Sequence, residues 1–156
     1  MIRPARQDDL DLLWEFLAVA AYEPSAAAAQ SVRVIAHYLE GWQRPTDFGC
    51  IAEVDGQPVG AAWARQFAAS GNPFFLNDRT PELAIGVREG FRGRGIGTAL
   101  MRALIHEATS RKLGLCLNVR ETSEALRLYE RLGFRRMPGW EVLNRAGSLS
   151  LGMVLE

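Results

Sequence analysis

The chain has 156 residues, 48% of them hydrophobic and 23% charged, with eighteen basic residues cancelled by eighteen acidic ones. Residues 1–156 therefore read as one globular domain, able to bury about two-thirds of the surface its unfolded chain exposes, and the zero formal charge leaves no global field to draw it onto nucleic acid or an anionic membrane. Met1-Ile2-Arg3-Pro4 lacks the apolar core of a signal peptide, and the early apolar run from Phe16 to Tyr22 falls far short of the ~20 residues that span a bilayer, so a cytoplasmic protein is expected.

In chain order, Ile2 to Arg6 suits a first strand, and Asp8 stands where a helix N-cap belongs, with Asp11 three residues later. Leu10, Leu13, Trp14 and Leu17 recur at helical spacing and predict one buried face. Pro24-Ser25 interrupts that pattern and offers a fresh cap; Val32, Ile35, Ala36 and Leu39 then repeat it until Gly41, predicting a second helix. Cys50 to Val54, the dipeptide Asp55-Gly56, and Gln57 to Trp63 predict a hairpin with a tight turn.

Residues 67–81 carry Gly71-Asn72-Pro73 and Asp78-Arg79-Thr80-Pro81 around Phe74-Phe75-Leu76, which predicts a loop with an apolar centre. Such a loop either covers a pocket or plugs the core or an oligomer contact with its two phenylalanines. Glu82 to Val87 reads as a strand, followed by a helix packed through Ile96, Leu100, Ala103 and Leu104, with Arg111 and Lys112 suited to its C-terminal dipole and Gly114 as its stop. Leu115 to Val119 is a buried strand. Ser123 is the expected cap of a short helix with Ala125, Leu128, Tyr129 and Leu132 on one face, ended by Gly133; a break at Pro138-Gly139 precedes a last strand in which Leu149, Leu151, Met153 and Leu155 alternate with smaller or polar residues. Cys50 and Cys116 stand alone in apolar surroundings, and His37 and His106 are far apart in sequence, which indicates two buried free thiols and neither a disulfide framework nor a metal cluster.

The stretch with chemistry in it is Val87-Arg-Glu-Gly-Phe-Arg-Gly-Arg-Gly-Ile-Gly-Thr98, between the strand and the long helix. Closely spaced glycines let backbone amides approach a ligand, and a helix start adds unpaired N–H groups and partial positive charge, which together make an anion cradle suited to phosphates. Spacing decides the type. No Lys-Ser/Thr follows the glycines, so it is not a P-loop, and Gly93 and Gly95 are followed at the third position by Thr98 instead of glycine, so the dinucleotide fingerprint fails.

Arg92-x-x-Gly95-x-Gly97 directly after a strand resembles the coenzyme A pyrophosphate loop of the GNAT acetyltransferases, and Asn118 with Ala125-Leu-Arg-Leu-Tyr-Glu-Arg-Leu-Gly-Phe134 resembles that family's other recurring segment. Ile2 to Asp8 is family-like but less specific, and Glu89 departs from the proline that many members carry there. The resemblance implies an α/β (α+β) GNAT fold: a mixed central sheet of about seven strands, helices on both faces, splayed between the fourth and fifth strands. It further implies acetyl-CoA as cosubstrate, with no metal, and N-acetyl transfer to a primary amine of a small molecule or protein. Its pyrophosphate would lie on the amides of Arg92, Gly93, Arg94, Gly95, Ile96, Gly97 and Thr98, and its pantetheine arm along the backbone of Ile85 and Val87, beside Asn118 and Ala125, in the gap between the strands.

By the same resemblance the Val87 amide would polarise the thioester carbonyl and Tyr129 would protonate the departing thiolate, its alternative being a core tyrosine. Glu82 stands where some members place a catalytic base; the other reading is a solvated strand-edge charge. Arg92 and Arg94 are phosphate contacts or solvated side chains, and Asn118 a ligand contact or an internally bonded core residue. Trp14, Tyr22, Glu23, Trp42, Asp47, Phe74 and Asp78 are candidate acceptor-lining residues, although most of these aromatics also suit a core. Dimers are common in the family, which allows a homodimer. The competing classes are a non-catalytic acyl-CoA-binding sensor or assembly module and, more remotely, a nucleotide-binding α/β domain.

Overall fold

The structure is a computed structural model that describes residues 1–70 and 72–156. Gly71, part of the loop signal above, lies outside the described residues. The elements are β1 (Ile2–Pro4), α1 (Leu10–Ala20), α2 (Ala26–Gln30), α3 (Arg33–Ala36), β2 (Phe48–Val54), β3 (Gln57–Arg65), β4 (Glu82–Val87), α4 (Ile96–Ser110), β5 (Leu115–Arg120), α5 (Ala125–Arg131), β6 (Arg135–Leu143) and β7 (Leu149–Leu155). The strands form one mixed seven-stranded sheet in the order β1-β2-β3-β4-β5-β7-β6, in which β4 and β5 are parallel. The chain divides into two compact units, Met1–Arg65 with Ala84–Glu107 and Gln66–Leu83 with Ala108–Glu156.

In the first unit β2 and β3 are antiparallel, and the turn between them takes Asp55 at φ 52° and Gly56 at φ 76°. Both are left-handed, as a two-residue hairpin of matching twist requires, and glycine and aspartate tolerate this better than most residues. Strand alternation then separates two faces. Ile51, Ala61 and Trp63 belong to a core with Leu13, Phe16 and Leu17 of α1, and a Cβ on Gly86 would fall 2.3 Å from the Phe16 carbonyl oxygen, so β4 needs glycine where α1 crosses it. On the opposite face a Cβ on Gly60 would meet Leu100 of α4 at 3.1 Å, and the Cys50 thiol lies 3.7 Å from the Leu100 carbonyl oxygen. Helices therefore cover both faces of this part of the sheet.

The entry to α1 differs from the sequence expectation. A 3-10 turn over Gln7–Asp9 precedes the helix, so Asp9, not Asp8, is the N-cap residue of α1, and its side chain closes the 3-10 turn instead of bonding the first amides of α1. Its carboxylate accepts the Arg6 amide at 2.7 Å and the two terminal guanidinium nitrogens of Arg3 at 2.8 Å, and the Arg3 bonds, above all, hold it below the usual carboxylate range. The predicted second helix is also broken. Ser25 caps α2 as expected, with its hydroxyl 3.1 Å from the Ala28 amide, but the Ser31 hydroxyl donates back to the Ala28 carbonyl at 2.7 Å and Val32 is extended, so α3 starts anew. That back-bond competes with helix continuation.

Below α3, Arg65 at the end of β3 is 1% exposed and donates to both Asp47 carboxylate oxygens, at 2.8 and 3.2 Å, and to the carbonyls of His37 and Glu40. Loss of either charge would strand the other in the core, at a cost of about 3–5 kcal/mol.

In the second unit β7 pairs antiparallel with both β5 and β6. The helix ending at Ser110 takes its left-handed residue at Lys112, φ 59°, and not at Gly114. Gly114 is needed for a different reason: a Cβ there would lie 2.8 Å from the Leu155 carbonyl oxygen. Ser123 accepts the Ala125 amide on its hydroxyl at 3.1 Å, although Glu124 is the N-cap of α5. Pro138-Gly139 does not end a strand; β6 runs through it as an irregularity between Arg136 and Glu141. Nor does β7 alternate, since Ser150 through Val154 are all buried. Gly152 leaves room for Trp140, whose ring carbon would stand 2.4 Å from an added Cβ.

Candidate functional site

The first group of candidate residues belongs to the first unit. β4 leads through a 3-10 turn at Glu89–Phe91 to Arg92, whose Nε donates to the Val87 carbonyl at 3.3 Å and so folds the turn back on the strand end. Gly93 and Gly95 then adopt φ 75° and 80°, and nothing lies within 4 Å of where their Cβ atoms would be. The first i→i−4 bond of α4 runs from the Ala99 amide to the Gly95 carbonyl at 3.0 Å, which leaves the amides of Ile96, Gly97 and Thr98 as the helix's opening donors. Arg92, Gly93, Arg94 and Gly95 are exposed, and the Arg94 guanidinium lies 4.9 Å over the Phe91 ring. With 15 residues α4 is long enough to carry a substantial dipole, so its amino end favours an anion. Ile85 and Val87 stand half-buried on β4 before the turn.

The second group belongs to the second unit. Glu82 opens β4, opposite Cys116 of β5, and is 2% exposed; it is not a solvated edge charge. Asn118 donates its side-chain N–H to Glu82 Oε2 at 2.9 Å, and Asn72, on the 67–81 loop, donates to Oε1 at 3.3 Å. An ionised carboxylate offers acceptors only, which suits two amide donors and fixes which way each amide faces. Cys116 is buried against this carboxylate, and burial first, then the Glu82 charge, pushes its thiol well above the ordinary range. In the first unit, Cys50 is pushed up to about 12 by burial. Both thiols are free and buried, and chemically quiet at neutral pH.

Tyr129 lies on α5, 7% exposed, with its ring edge-on to Phe134 at 6.1 Å, and Ala125 begins the same helix. Several candidate acceptor-lining residues are committed elsewhere. Asp47 is locked to Arg65, Trp42 is buried beside that guanidinium, and Phe74 is buried edge-on to Trp140 at 6.2 Å, so Phe74 plugs its unit. Tyr22 and Asp78 are exposed, and Trp14 is half-buried. Asn72 as a partner of Glu82 was missed from the sequence. Asn-Pro marked the turn there, and the Asn72 amide oxygen does accept the Phe74 amide at 3.0 Å, but no spacing links residue 72 to residue 82.

A mixed α/β sheet with a glycine turn opening a long helix defines a class of domain whose helix start presents backbone amides to an anion. Within that class the chain belongs to the acetyltransferase (GNAT) family, whose family model matches residues 10–134. It is 34% identical over 151 aligned residues to an uncharacterized N-acetyltransferase of Methanocaldococcus jannaschii, a match covering 89% of this chain and 63% of that protein; the chain thus spans under two-thirds of that relative. Among solved structures it is similar to a ribosomal-protein-alanine N-acetyltransferase from Brucella melitensis, at 27% identity and a TM-score of 0.74, over 99% of this chain and 98% of that one. It shares its fold with yncA of Salmonella typhimurium, a putative acetyltransferase solved with its cofactor acetyl-CoA, at 21% identity and a TM-score of 0.75, over 100% and 92% of the two chains.

Proposed function

We propose that the chain is an acetyl-CoA-dependent N-acetyltransferase that moves the acetyl group directly to a primary amine of a small molecule or protein while both substrates are bound. The observation that carries this reading is the turn at Arg92 to Thr98, where two glycines in left-handed backbone open unobstructed space before the first amides of α4. A diphosphate fits that donor set, because backbone N–H groups and the helix dipole supply positive potential without a buried cation. Arg92 and Arg94 add charge-assisted contacts at its rim. Ile85 and Val87 offer backbone groups to the pantetheine amides, Ala125 lines the same arm, and Asn118 adds side-chain donors and an acceptor, of which Glu82 takes one donor.

Acetyl-CoA supplies an activated thioester. The amine must shed a proton before attack, since an alkylammonium ordinarily titrates near ~10.4, and Glu82 is the group proposed to take it through water. The Val87 amide donates to the acetyl oxygen, and the Tyr129 hydroxyl donates to the sulfur as the thiolate leaves. Calorimetry with acetyl-CoA, followed by thiol release across a panel of a polyamine, an amino sugar and a peptide with a free amino terminus, tests the reading. Binding with release above the hydrolysis background supports it. Binding with no release points to a sensor, and failure to bind overturns both.

A further inference from the structure

We propose that Asn72 is a positioning residue for Glu82, orienting the carboxylate and favouring its ionised form from the loop that leads into β4. The proposal rests on Glu82 being the base of the reaction above. Glu82 is 2% exposed, and its two oxygens are engaged from different elements: Oε2 by Asn118 of β5 and Oε1 by Asn72 of the loop. Asn72 and Asn118 are both half-buried around the enclosed carboxylate.

The loop is built to hold that amide in place. The Asn72 side-chain oxygen takes the Phe74 amide at 3.0 Å, which orients its NH2 group away from the turn. Phe74 is anchored in its turn: its ring meets Trp140, in the room left by Gly152, and its carbonyl accepts the Cys116 thiol at 3.4 Å. Gln66 adds a strut by donating to the carbonyls of Phe67 and Asn77, both at 3.0 Å. Thus Phe74 sets the loop, the turn sets Asn72, and Asn72 holds Oε1. A donor to the charged form of a carboxylate favours that form, against burial, which favours the neutral one, so the Asn72 amide biases Glu82 toward ionisation and orients it for the proton it is to receive. The Cys116 thiol, also packed against Glu82, stays neutral through the working range and adds no charge of its own.

The test uses the ligand-free full chain with 13C-labelled glutamate side chains, the Glu82 carboxyl resonance being assigned by its loss in Glu82→Gln. In Asn72→Ala its titration midpoint is expected to move upward by about half to one pH unit, the scale of one long hydrogen bond to a charged acceptor. Asn72→Asp keeps an acceptor for the Phe74 amide, and hence the loop turn, but sets a second carboxylate against the first, and is expected to move the midpoint at least as far. A midpoint unchanged in Asn72→Ala overturns the proposal, because the shift in Asn72→Asp follows from like charge alone and serves only to show that the resonance reports on residue 72. A shifted midpoint in a protein whose Glu82→Gln variant retains full thiol release supports the hold by Asn72 and overturns the base assignment alone.

Discussion

The glycine turn at residues 92–98 and the carboxylate cluster at Glu82 serve one proposed reaction by opposite physical means. The turn is contiguous in sequence, largely exposed, and made of backbone; its specificity lies in left-handed φ values that glycine adopts at the least cost. The cluster joins residues 72, 82 and 118, is built of side chains, and encloses a carboxylate at 2% exposure. The difference teaches how labour divides between the two. A diphosphate carries its own charge and needs only preset dipoles, so it can be met at the surface. A proton carrier must be held in one orientation toward the group or water that delivers the proton, which takes packed side chains from several elements.

The sharpest break between the two regions is expected from Glu82→Gln. Steady-state kinetics on an accepted amine should show kcat reduced about 10³-fold, within the range for loss of a general base, with acetyl-CoA affinity unchanged; undiminished kcat would remove Glu82 from the chemistry. Next comes Gly97→Glu, which should do the reverse. A glutamate in the first turn of α4 suits the helix dipole, so the thermal midpoint should hold or rise slightly, while its charge repels diphosphate and weakens acetyl-CoA about 100-fold, or ~2.7 kcal/mol. Calorimetry giving wild-type affinity in this folded variant would sink the cradle.

Tyr129→Phe should fall between the two regions in kind and below both in size. A thiol with an ordinary pKa of ~8.5 leaves with modest help, so kcat should drop about tenfold with little change in cofactor affinity. Equal turnover would make Tyr129 a packing residue against Phe134. The smallest effect concerns Cys50 and Cys116. Burial lifts both thiols, Cys50 to about 12, so neither should react with an aromatic disulfide at pH 8 until the protein is unfolded. Rapid labelling of the native chain would show that one of these cores opens.

Local signals account for much of what could be read from the chain. The Asp55-Gly56 hairpin, the strand at Glu82 to Val87, the glycine turn and the Ser25 cap each depend on residues within one or two turns of one another, and each stands in the structure where its residues require. Errors arose where a second local bond or a distant neighbour decided. Ser31 bonded back to Ala28 and broke a helix that apolar spacing had continued, and the left-handed position after α4 fell at Lys112, while Gly114 is required by the close approach of Leu155.

By itself, then, the sequence determined the backbone half of the candidate site, because glycine spacing and a helix start are properties of adjacent residues. Only the tertiary structure decided the side-chain half. Asp47 looked available for an amine until the fold locked it to Arg65, and Glu82 looked like an edge charge or a base until strand pairing and a loop enclosed it between Asn118 and Asn72. Burial and hydrogen-bond partners of a charged group are set by residues far away in sequence, and no local pattern carries that information.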